Sequence, residues 1–397
     1  MKKVVFLVDM NAFFISCEMT RNSSLVEIPA AVAGDPNKRT GIILAANYNA
    51  RSHGVKTAMV VHEALKRCPK MMLIPPDHSF YKQKSKEVMD LLSNYSPIVE
   101  QNSIDEAWLD MTGSEGIFGS PVNAAKRIMN DIKNNLGLWC SIGIAENKFL
   151  SKMASDMKKP LGITELWKVD IPQKLWPLPV RSMYGIGLKT TEKLGYLGIE
   201  TIGDLGNYDA GFLIKTFGKS GNSMYLHANG IDNSPLLPHL VNDMKSIGRE
   251  KTLAKNISDI EKAKNILIEL ADDIGMTARN HGKKGRTVQI TLKYSDFRVA
   301  TRQKTLPPTS TTKEIYQVSC SLLEEHWNSN YLVRLIGLSL SGFDEEASLQ
   351  QLSFFDQIEA TVKNDKNQRI DQAMDKIRKK HGTDIITLAA LVKKEIL

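Results

Sequence analysis

The chain has 397 residues, of which 42% are hydrophobic and 24% charged, the proportions of a soluble globular protein and not of a disordered or membrane-embedded one. That length exceeds one ordinary core and predicts about two to four domains. A count of 52 Lys and Arg against 44 Asp and Glu leaves a net charge of +8 and a pI near 9.1, which suits a polyanionic partner and equally a merely basic enzyme.

The first element is a buried strand, Val4 to Val8, β-branched and aromatic, running straight into Asp9. Lys2-Lys3 ahead of it imitates a signal peptide, but the apolar run stops at Asp9, too short for the apolar core of one. No apolar run of about 20 residues occurs elsewhere, so a cytoplasmic location and no membrane partner are expected. Cys17, Cys68, Cys140 and Cys320 lie far apart with no CxxC pair, which predicts reduced intracellular thiols and no zinc site.

Met10 to Glu18 reads as a turn entering a short helix led by Phe13 and Phe14. Strands over Ala30–Ala33 and Gly41–Ala46 lead to Asn47–Val55, where Tyr48 and Arg51 are three apart and share a helical face. A phenol beside a guanidinium suits a phosphate chain; an Arg stacked on a surface Tyr has the same spacing. A strand over Met71–Ile74, a helix capped by Asp77 or Ser79 and ending near Asn94, and a strand over Pro97–Gln101 follow.

Next comes Ser103-Ile104-Asp105-Glu106-Ala107-Trp108-Leu109-Asp110. Adjacent carboxylates inside an apolar run repel each other and resist burial, and they persist mostly where cations neutralise them. With Asp9 from another strand end they could hold two Mg²⁺ ions about 3.5–4 Å apart, the arrangement of phosphoryl and nucleotidyl transfer. Isolated Asp-Glu pairs also occur on solvated turns.

A helix over Val122–Leu136, a strand over Trp139–Ala145 and an amphipathic helix from Glu146 to Ser155 complete an α+β sheet with helices behind it and a polar front. Lys148 and Lys152 share one side of that last helix, a solvated face unless it looks toward a triphosphate.

From Pro179 the texture changes. Gly185-Ile186-Gly187 precedes a helix beginning near Leu188-Lys189, followed by Leu197-Gly198-Ile199 and Thr201-Ile202-Gly203-Asp204-Leu205. Glycines let backbone N–H groups crowd onto an anion at a helix N-terminus, the way a helix-hairpin-helix grips DNA phosphates without reading sequence. After a polar connector from Gly230 to His239, the segment from Lys245 to Leu340 alternates βαββαβ, with strands over Lys245–Leu253, Thr287–Tyr294, Phe297–Lys304 and Leu332–Leu340 and helices over Ile257–Asn280 and Thr312–Trp327. Arg249, Lys251, Lys293, Arg298, Arg302 and Lys304 fall on its strands, where a sheet face could track a phosphate backbone. Gln351-Leu352-Ser353-Phe354-Phe355 is an apolar plug in a polar linker, an anchor for a partner's pocket or for the chain's own surface. Ile370–His381 and Asp384–Glu395 read as two short terminal helices.

Taken together and in this order, these motifs resemble a Y-family translesion DNA polymerase of the DinB and UmuC type, over essentially the whole chain to Phe355. The resemblance implies a polymerase right hand, α+β and multidomain. Residues 1–10 and 75–170 would be the palm, 11–74 small fingers, 171–233 a helical thumb with the helix-hairpin-helix and 234–243 a linker. Residues 244–343 would be a βαββαβ little finger, and 344–397 a tail carrying the sliding-clamp motif at Gln351, Leu352, Ser353, Phe354 and Phe355. It implies Asp9, Asp105 and Glu106, with the Met10 carbonyl, as ligands of two Mg²⁺ ions. Phe13, Phe14, Tyr48, Arg51 and Lys152 would face the nucleotide, with Phe14 as the steric gate against a ribose 2′-OH. Gly185, Gly187, Lys189 and the six basic strand residues would hold DNA.

The implied activity is low-fidelity DNA-templated synthesis past damaged bases. The substrates would be primer-template DNA and deoxynucleoside triphosphates, and the protein would work as a monomer with the sliding clamp. A non-catalytic DNA-binding adaptor that keeps the fold is the alternative reading, and a nucleotide cyclase would leave the hairpin, the basic block and the plug without purpose. Three features depart from the common pattern: Asn11 stands where many DinB-type members have Asp, Ile42 and Leu44 are bulky, and 42 residues follow Phe355.

Overall fold

In the computed structural model, which describes residues 2–35, 41–238, 244–343, 358–382 and 385–391, the N-terminal apolar run forms β1 (Val5–Met10), buried at every position. It turns at Ala12, in the left-handed region with φ 48°, into α1 (Phe13–Arg21). There follow β2 (Ala30–Ala33), β3 (Ile43–Ala46), α2 (Tyr48–Ser52), α3 (Val61–Arg67) and β4 (Met72–Ile74). The three strands form a small sheet in the order β3-β2-β4, and the alanines of its core let α2 and α3 pack close against it. Asn47 ties this layer together: its side chain accepts from the Ala50 N–H at the start of α2 and donates to the buried carbonyls of Leu25 and Ile28.

Asp77 caps α4 (His78–Leu92) by accepting from the Phe80 N–H. Then come β5 (Val99–Gln101), β6 (Glu106–Asp110), α5 (Glu115–Phe118), α6 (Pro121–Leu136), β7 (Cys140–Ala145), α7 (Lys148–Met157) and β8 (Ile163–Glu165). Ser120 caps α6, Pro121 opens it, and Gly137 ends it in the left-handed conformation, the pattern expected of helix ends. The sheet order is β5-β6-β1-β7-β8, antiparallel except for β7 and β8.

Because β1 is covered on both faces it is apolar at consecutive positions rather than alternate ones. Phe6 and Val8 pack with Val88 and Leu92 of α4 and Ile128 and Ile132 of α6. Val5 and Leu7 face the other way, with Trp108. On that second face α7 approaches β7 so closely that a Cβ on Gly143 would lie 1.9 Å from the Ser151 carbonyl oxygen and 2.4 Å from the Ser155 nitrogen.

Helices α8 (Leu188–Gly195), α9 (Ile202–Gly206), α10 (Ala210–Phe217) and α11 (Lys219–Ala228) enclose Leu194, Ile199, Ile202, Leu205 and Leu213. The segment after α11 runs back over the five-stranded sheet, where Leu236 packs on Val5, Leu7 and Trp108 and the Leu237 N–H donates to Glu100 at 3.0 Å. The chain divides into two units, Met1–Leu240 and Val241–Leu397, at a point inside the segment expected to be a linker.

The second unit follows the expected βαββαβ order with β9 (Ser246–Ile257), α12 (Ile260–Asn280), β10 (Gly285–Tyr294), β11 (Val299–Thr309), α13 (Thr312–His326) and β12 (Val333–Ser341). Its antiparallel sheet has the order β11-β10-β12-β9. The first strand is longer than expected and its helix starts later, because Asp259 accepts from the Glu261 and Lys262 N–H groups and fixes the start at Ile260. β11 continues through Pro307 and Pro308, which an edge strand tolerates.

The tail differs from expectation. One long helix, α14 (Ile358–His381), replaces the short one expected from Ile370. The helix expected over Asp384–Glu395 is not formed in described residues 385–391, which hold only a 3₁₀ turn at Ala389–Leu391. The plug at Gln351–Phe355 lies outside the described residues. Among the described residues no helix is long and apolar enough to cross a membrane.

Candidate active site

The register of the central sheet puts Asp9 of β1 directly opposite Glu106 of β6, so both carboxylates leave the same face, which they share with Leu7 and Trp108. Asp105, one residue earlier, is tied to the strand end by a 2.9 Å bond from the Met10 N–H to its carbonyl. Ser103 donates to the Asp105 carboxylate and Asn102 to that of Glu106. Asp9 and the sequence-distant pair Asp105 and Glu106 are thereby delivered to one wall.

The close approach of α7 over Gly143 supplies the countercharge. Lys152 Nζ lies 2.9 Å from Asp9 and 2.7 Å from Glu106. Lys159, in the loop after α7, bridges Asp9 and Asp156 at 2.8 Å each. Burial pushes the Asp9 carboxyl up, but Lys159 and Lys152 outweigh it and hold the group below its usual range. Both lysines are held above the ordinary ammonium range by Asp9 and its neighbours against the opposing effect of burial.

Among the described residues no three His, Cys, Asp or Glu side chains are gathered as a ready metal cage; Asp9 and Glu106 turn to the Lys152 ammonium, which stands in for a cation. The donor set fits a hard divalent ion once that ammonium moves aside, because Asp9, Asp105, Glu106 and Asp156 outnumber the two lysines.

Asp9, Asp105, Glu106, Lys152 and Lys159 open on one cavity of about 340 Å³, whose other walls carry Met10, Phe13, Phe14, Tyr48, Arg51 and Thr57. Tyr48 and Arg51 sit on α2, the guanidinium 5.1 Å from the phenol ring centre and anchored by a 2.9 Å bond from Nε to the Ala46 carbonyl. The Tyr48 hydroxyl is buried with no hydrogen-bond partner, an orphan polar atom on the wall of a charged cavity. Burial pushes its pKa up, with Arg51 partly offsetting. Phe13 lines the same cavity but is mostly core.

Every residue expected to meet metal or nucleotide therefore lies on this cavity. Lys148, paired with Lys152 by spacing, does not: it bonds Glu100 at 2.6 Å and the Pro235 carbonyl instead. Lys159 and Thr57 were missed. A Lys-Lys-Pro loop reads as solvated, and nothing in its spacing says that it folds back onto Asp9.

The expected DNA-binding groups fall into three sets. Gly185, in the left-handed region at φ 91°, and Gly187, the residue before α8, shape the hairpin. Lys189 lines a groove there with Lys193 and Lys219, two lysines that the hairpin motif alone did not single out. On the second unit's sheet, Lys293 stands opposite Leu335 on the face away from the helices. Arg249 and Lys251 stand opposite buried Leu338 and Ile336 and pair with Asp273 and Glu269 of α12. Arg302 and Lys304 stand opposite buried Ile290 and Val288, on the edge strand β11. Arg298 pairs with Asp296 at the hairpin tip.

Residues 8–156 match the impB/mucB/samB family, residues 168–199 the helix-hairpin-helix motif of the same family and residues 244–354 its C-terminal domain. The chain is 59% identical over 398 residues to DNA polymerase IV of Alkaliphilus oremlandii, covering 99% of this chain and 100% of that one. It is 57% identical over 399 residues to DNA polymerase IV of Clostridium kluyveri, covering 99% of each. With DNA polymerase IV 1 of Bacillus subtilis it shares 39% over 395 residues, 99% of this chain and 94% of that one. A solved Y-family DNA polymerase chimera superposes with a TM-score of 0.77 at 26% identity, and DinB from Sulfolobus solfataricus with 0.56 at 25%, each over 86% of this chain and 99% of theirs.

Proposed function

The chain belongs to the impB/mucB/samB family of DNA-directed DNA polymerases, and from that premise we propose how its own residues carry out the reaction. It is a translesion polymerase of the Y family with the mixed α+β right hand of that group, a metal-dependent enzyme acting on DNA and nucleotides. Asp9, Asp105 and Glu106, with the Met10 carbonyl, hold two Mg²⁺ ions. When bound, the ions supply acidity to the primer 3′-OH and neutralise charge on the phosphates.

The chain's other groups bind and orient. The Tyr48 hydroxyl, Arg51 and Lys159 receive the triphosphate, with Lys152 moving from the carboxylates toward it. Phe14 closes the wall where a ribose 2′-OH would project. The small alanine-built sheet encloses little of the base pair, so selection falls back on pairing and damaged templates are admitted.

The domains divide as palm 1–10 and 75–170, fingers 11–74, thumb 171–233, linker 234–243 and little finger 244–343. The two glycines of the hairpin, Lys189 and the basic strand residues lie along the duplex, and Gln351–Phe355 docks the sliding clamp. The protein works as a cytoplasmic monomer.

The observation that carries this reading is the convergence of Asp9 and the distant pair Asp105 and Glu106 with an orphan phenol and an anchored guanidinium on one cavity. The adaptor reading is not favoured, since the relatives at 59% and 57% identity over nearly the whole chain are polymerases. Asp105→Ala is expected to lower primer extension by at least about a thousandfold, the scale at which loss of transition-state charge stabilisation registers, with primer-template binding retained. Extension by that variant at the parent rate overturns the metal assignment.

A further inference from the structure

Phe14 and Glu18 are one turn apart on α1, and both reach the same residue of α4. The Tyr81 ring stacks on Phe14 with centroids 4.6 Å apart and planes 17° from parallel. Its hydroxyl donates to Glu18 Oε1 at 2.7 Å. Tyr81 is 0% exposed and Glu18 8%, so this hydrogen bond spans the interior between two helices, where a buried carboxylate needs a donor and strongly favours keeping it. His78, at the start of α4, meets Phe14 edge-on at 5.8 Å and Tyr81 edge-on at 6.0 Å. The face of Phe14 turned from the cavity is therefore backed by a flat ring that cannot slide, since its far end is tied to the helix that carries Phe14.

We infer that Tyr81, held by Glu18, is a positioning residue for sugar discrimination: it fixes the depth to which the Phe14 ring can retreat when a 2′-OH presses on it. The inference rests on the reading of Phe14 as the sugar gate. A gate of this kind works by collision, and a collision discriminates only if the wall does not yield. Aromatic stacking alone is too weak to hold a ring against a misplaced hydroxyl, whereas a fully packed ring with an anchored hydroxyl leaves the gate no volume to move into. Neither Tyr81 nor Glu18 lines the cavity, so neither touches the nucleotide.

The experiment measures, for the full chain on primer-template, the ratio of kcat/KM for a deoxynucleotide to that for the matching ribonucleotide. A loss of folded protein scales both efficiencies together and leaves the ratio unmoved, so the ratio separates positioning from mere stability. Tyr81→Leu fills most of the volume but offers neither a flat face nor a hydroxyl, and the ratio is expected to fall about tenfold through a rise in ribonucleotide efficiency. Tyr81→Phe combined with Glu18→Leu keeps the ring but removes its anchor; the ratio is expected to fall about threefold, less than in Tyr81→Leu, and an unchanged ratio shows that the bond to Glu18 does not hold the gate.

Phe14→Ala is measured alongside. If Phe14→Ala loses discrimination and Tyr81→Leu keeps the parent ratio, the positioning role is overturned while the gate stands. If Phe14→Ala itself keeps the parent ratio, the gate reading fails and this inference falls with it. Should Tyr81→Leu not yield folded protein, Glu18→Leu alone releases the hydroxyl end of the ring. A smaller drop in the ratio is then expected, and an unchanged ratio counts against the inference.

Discussion

Asn11 stands two residues past Asp9, 1% exposed, and its side chain is fully committed. The amide oxygen accepts the Leu161 N–H at 2.9 Å and the amide nitrogen donates to Ser141 Oγ at 3.0 Å. Leu161 is left-handed at φ 57°, an unfavourable conformation that the Asn11 oxygen helps to fix in the loop bringing Lys159 to Asp9, with Ser141 Oγ accepting the next N–H, that of Gly162, at 3.2 Å. Asn11→Ala removes the acceptor and frees the loop. Its KM for the incoming nucleotide is expected to rise about tenfold, the scale of removing one charge-assisted hydrogen bond, with kcat changed much less. Asn11→Asp keeps an acceptor for Leu161, and the Ser141 hydroxyl can rotate to donate, so its KM should stay near the parent value. Steady-state kinetics on undamaged template decides, and equal KM values for the Ala and Asp variants would remove the role. On this reading position 11 demands an acceptor oxygen and not a charge.

Among the elements, α7 does most to define the site, because its distance from the sheet sets where Lys152 lies. That distance is permitted by Gly143, whose missing side chain lets the Ser151 carbonyl and the Ser155 nitrogen come down onto β7. Both would-be contacts are backbone atoms, so Gly143→Ala cannot be absorbed by a rotamer change and must push the helix away. A cost of about 1–3 kcal/mol is expected for such overpacking, read as a lower denaturant midpoint. Polymerase activity should fall further than stability does, since Lys152 is carried off Asp9 and Glu106. Full activity in a folded Gly143→Ala protein would show that the seating of α7 is not what places the lysine.

The same element marks where sequence reading succeeds and stops. The carboxylates were legible because an acid that closes an apolar strand is costly to bury unless a cation sits beside it. The helix and its two lysines were legible from periodicity, but not that Lys152 meets the carboxylates while Lys148 leaves for Glu100. A spacing of four residues states a shared side and not a shared target.

At the scale of the whole molecule, the tail is the part that pattern described least well. A second helix was expected and one longer helix is present, because α14 is held by buried ions more than by an apolar stripe. Arg279 of α12 grips Asp375 with two bonds of 2.6 and 3.0 Å and reaches Asp371 at 3.1 Å. Asp371 also accepts the Thr312 N–H that opens α13, and Arg378 reaches back to Asp272 at 2.7 Å. Burial pushes the Asp371 carboxyl up, and the Thr312 N–H and Arg279 offset this only in part; Asp375, which takes two bonds from the guanidinium, is the firmer partner by geometry.

Replacing Asp371 and Asp375 together with Ala leaves Arg279 buried without a counterion, at about 3–5 kcal/mol if nothing moves. The helix can leave, however, and let water reach the guanidinium, so the cost is capped at the free energy of docking. The expected outcome is release of α14 and not unfolding of the sheet: amides of residues 366–381 lose protection from hydrogen exchange while those of α12 keep theirs. Clamp-stimulated synthesis should survive in that variant, because the proposed clamp motif is untouched. Replacing Leu352, Phe354 and Phe355 with Ala should do the reverse, abolishing stimulation and leaving residues 366–381 protected. If instead releasing α14 also abolishes stimulation, the tail beyond the motif shares in clamp binding and is not only a brace for the fold of the second unit.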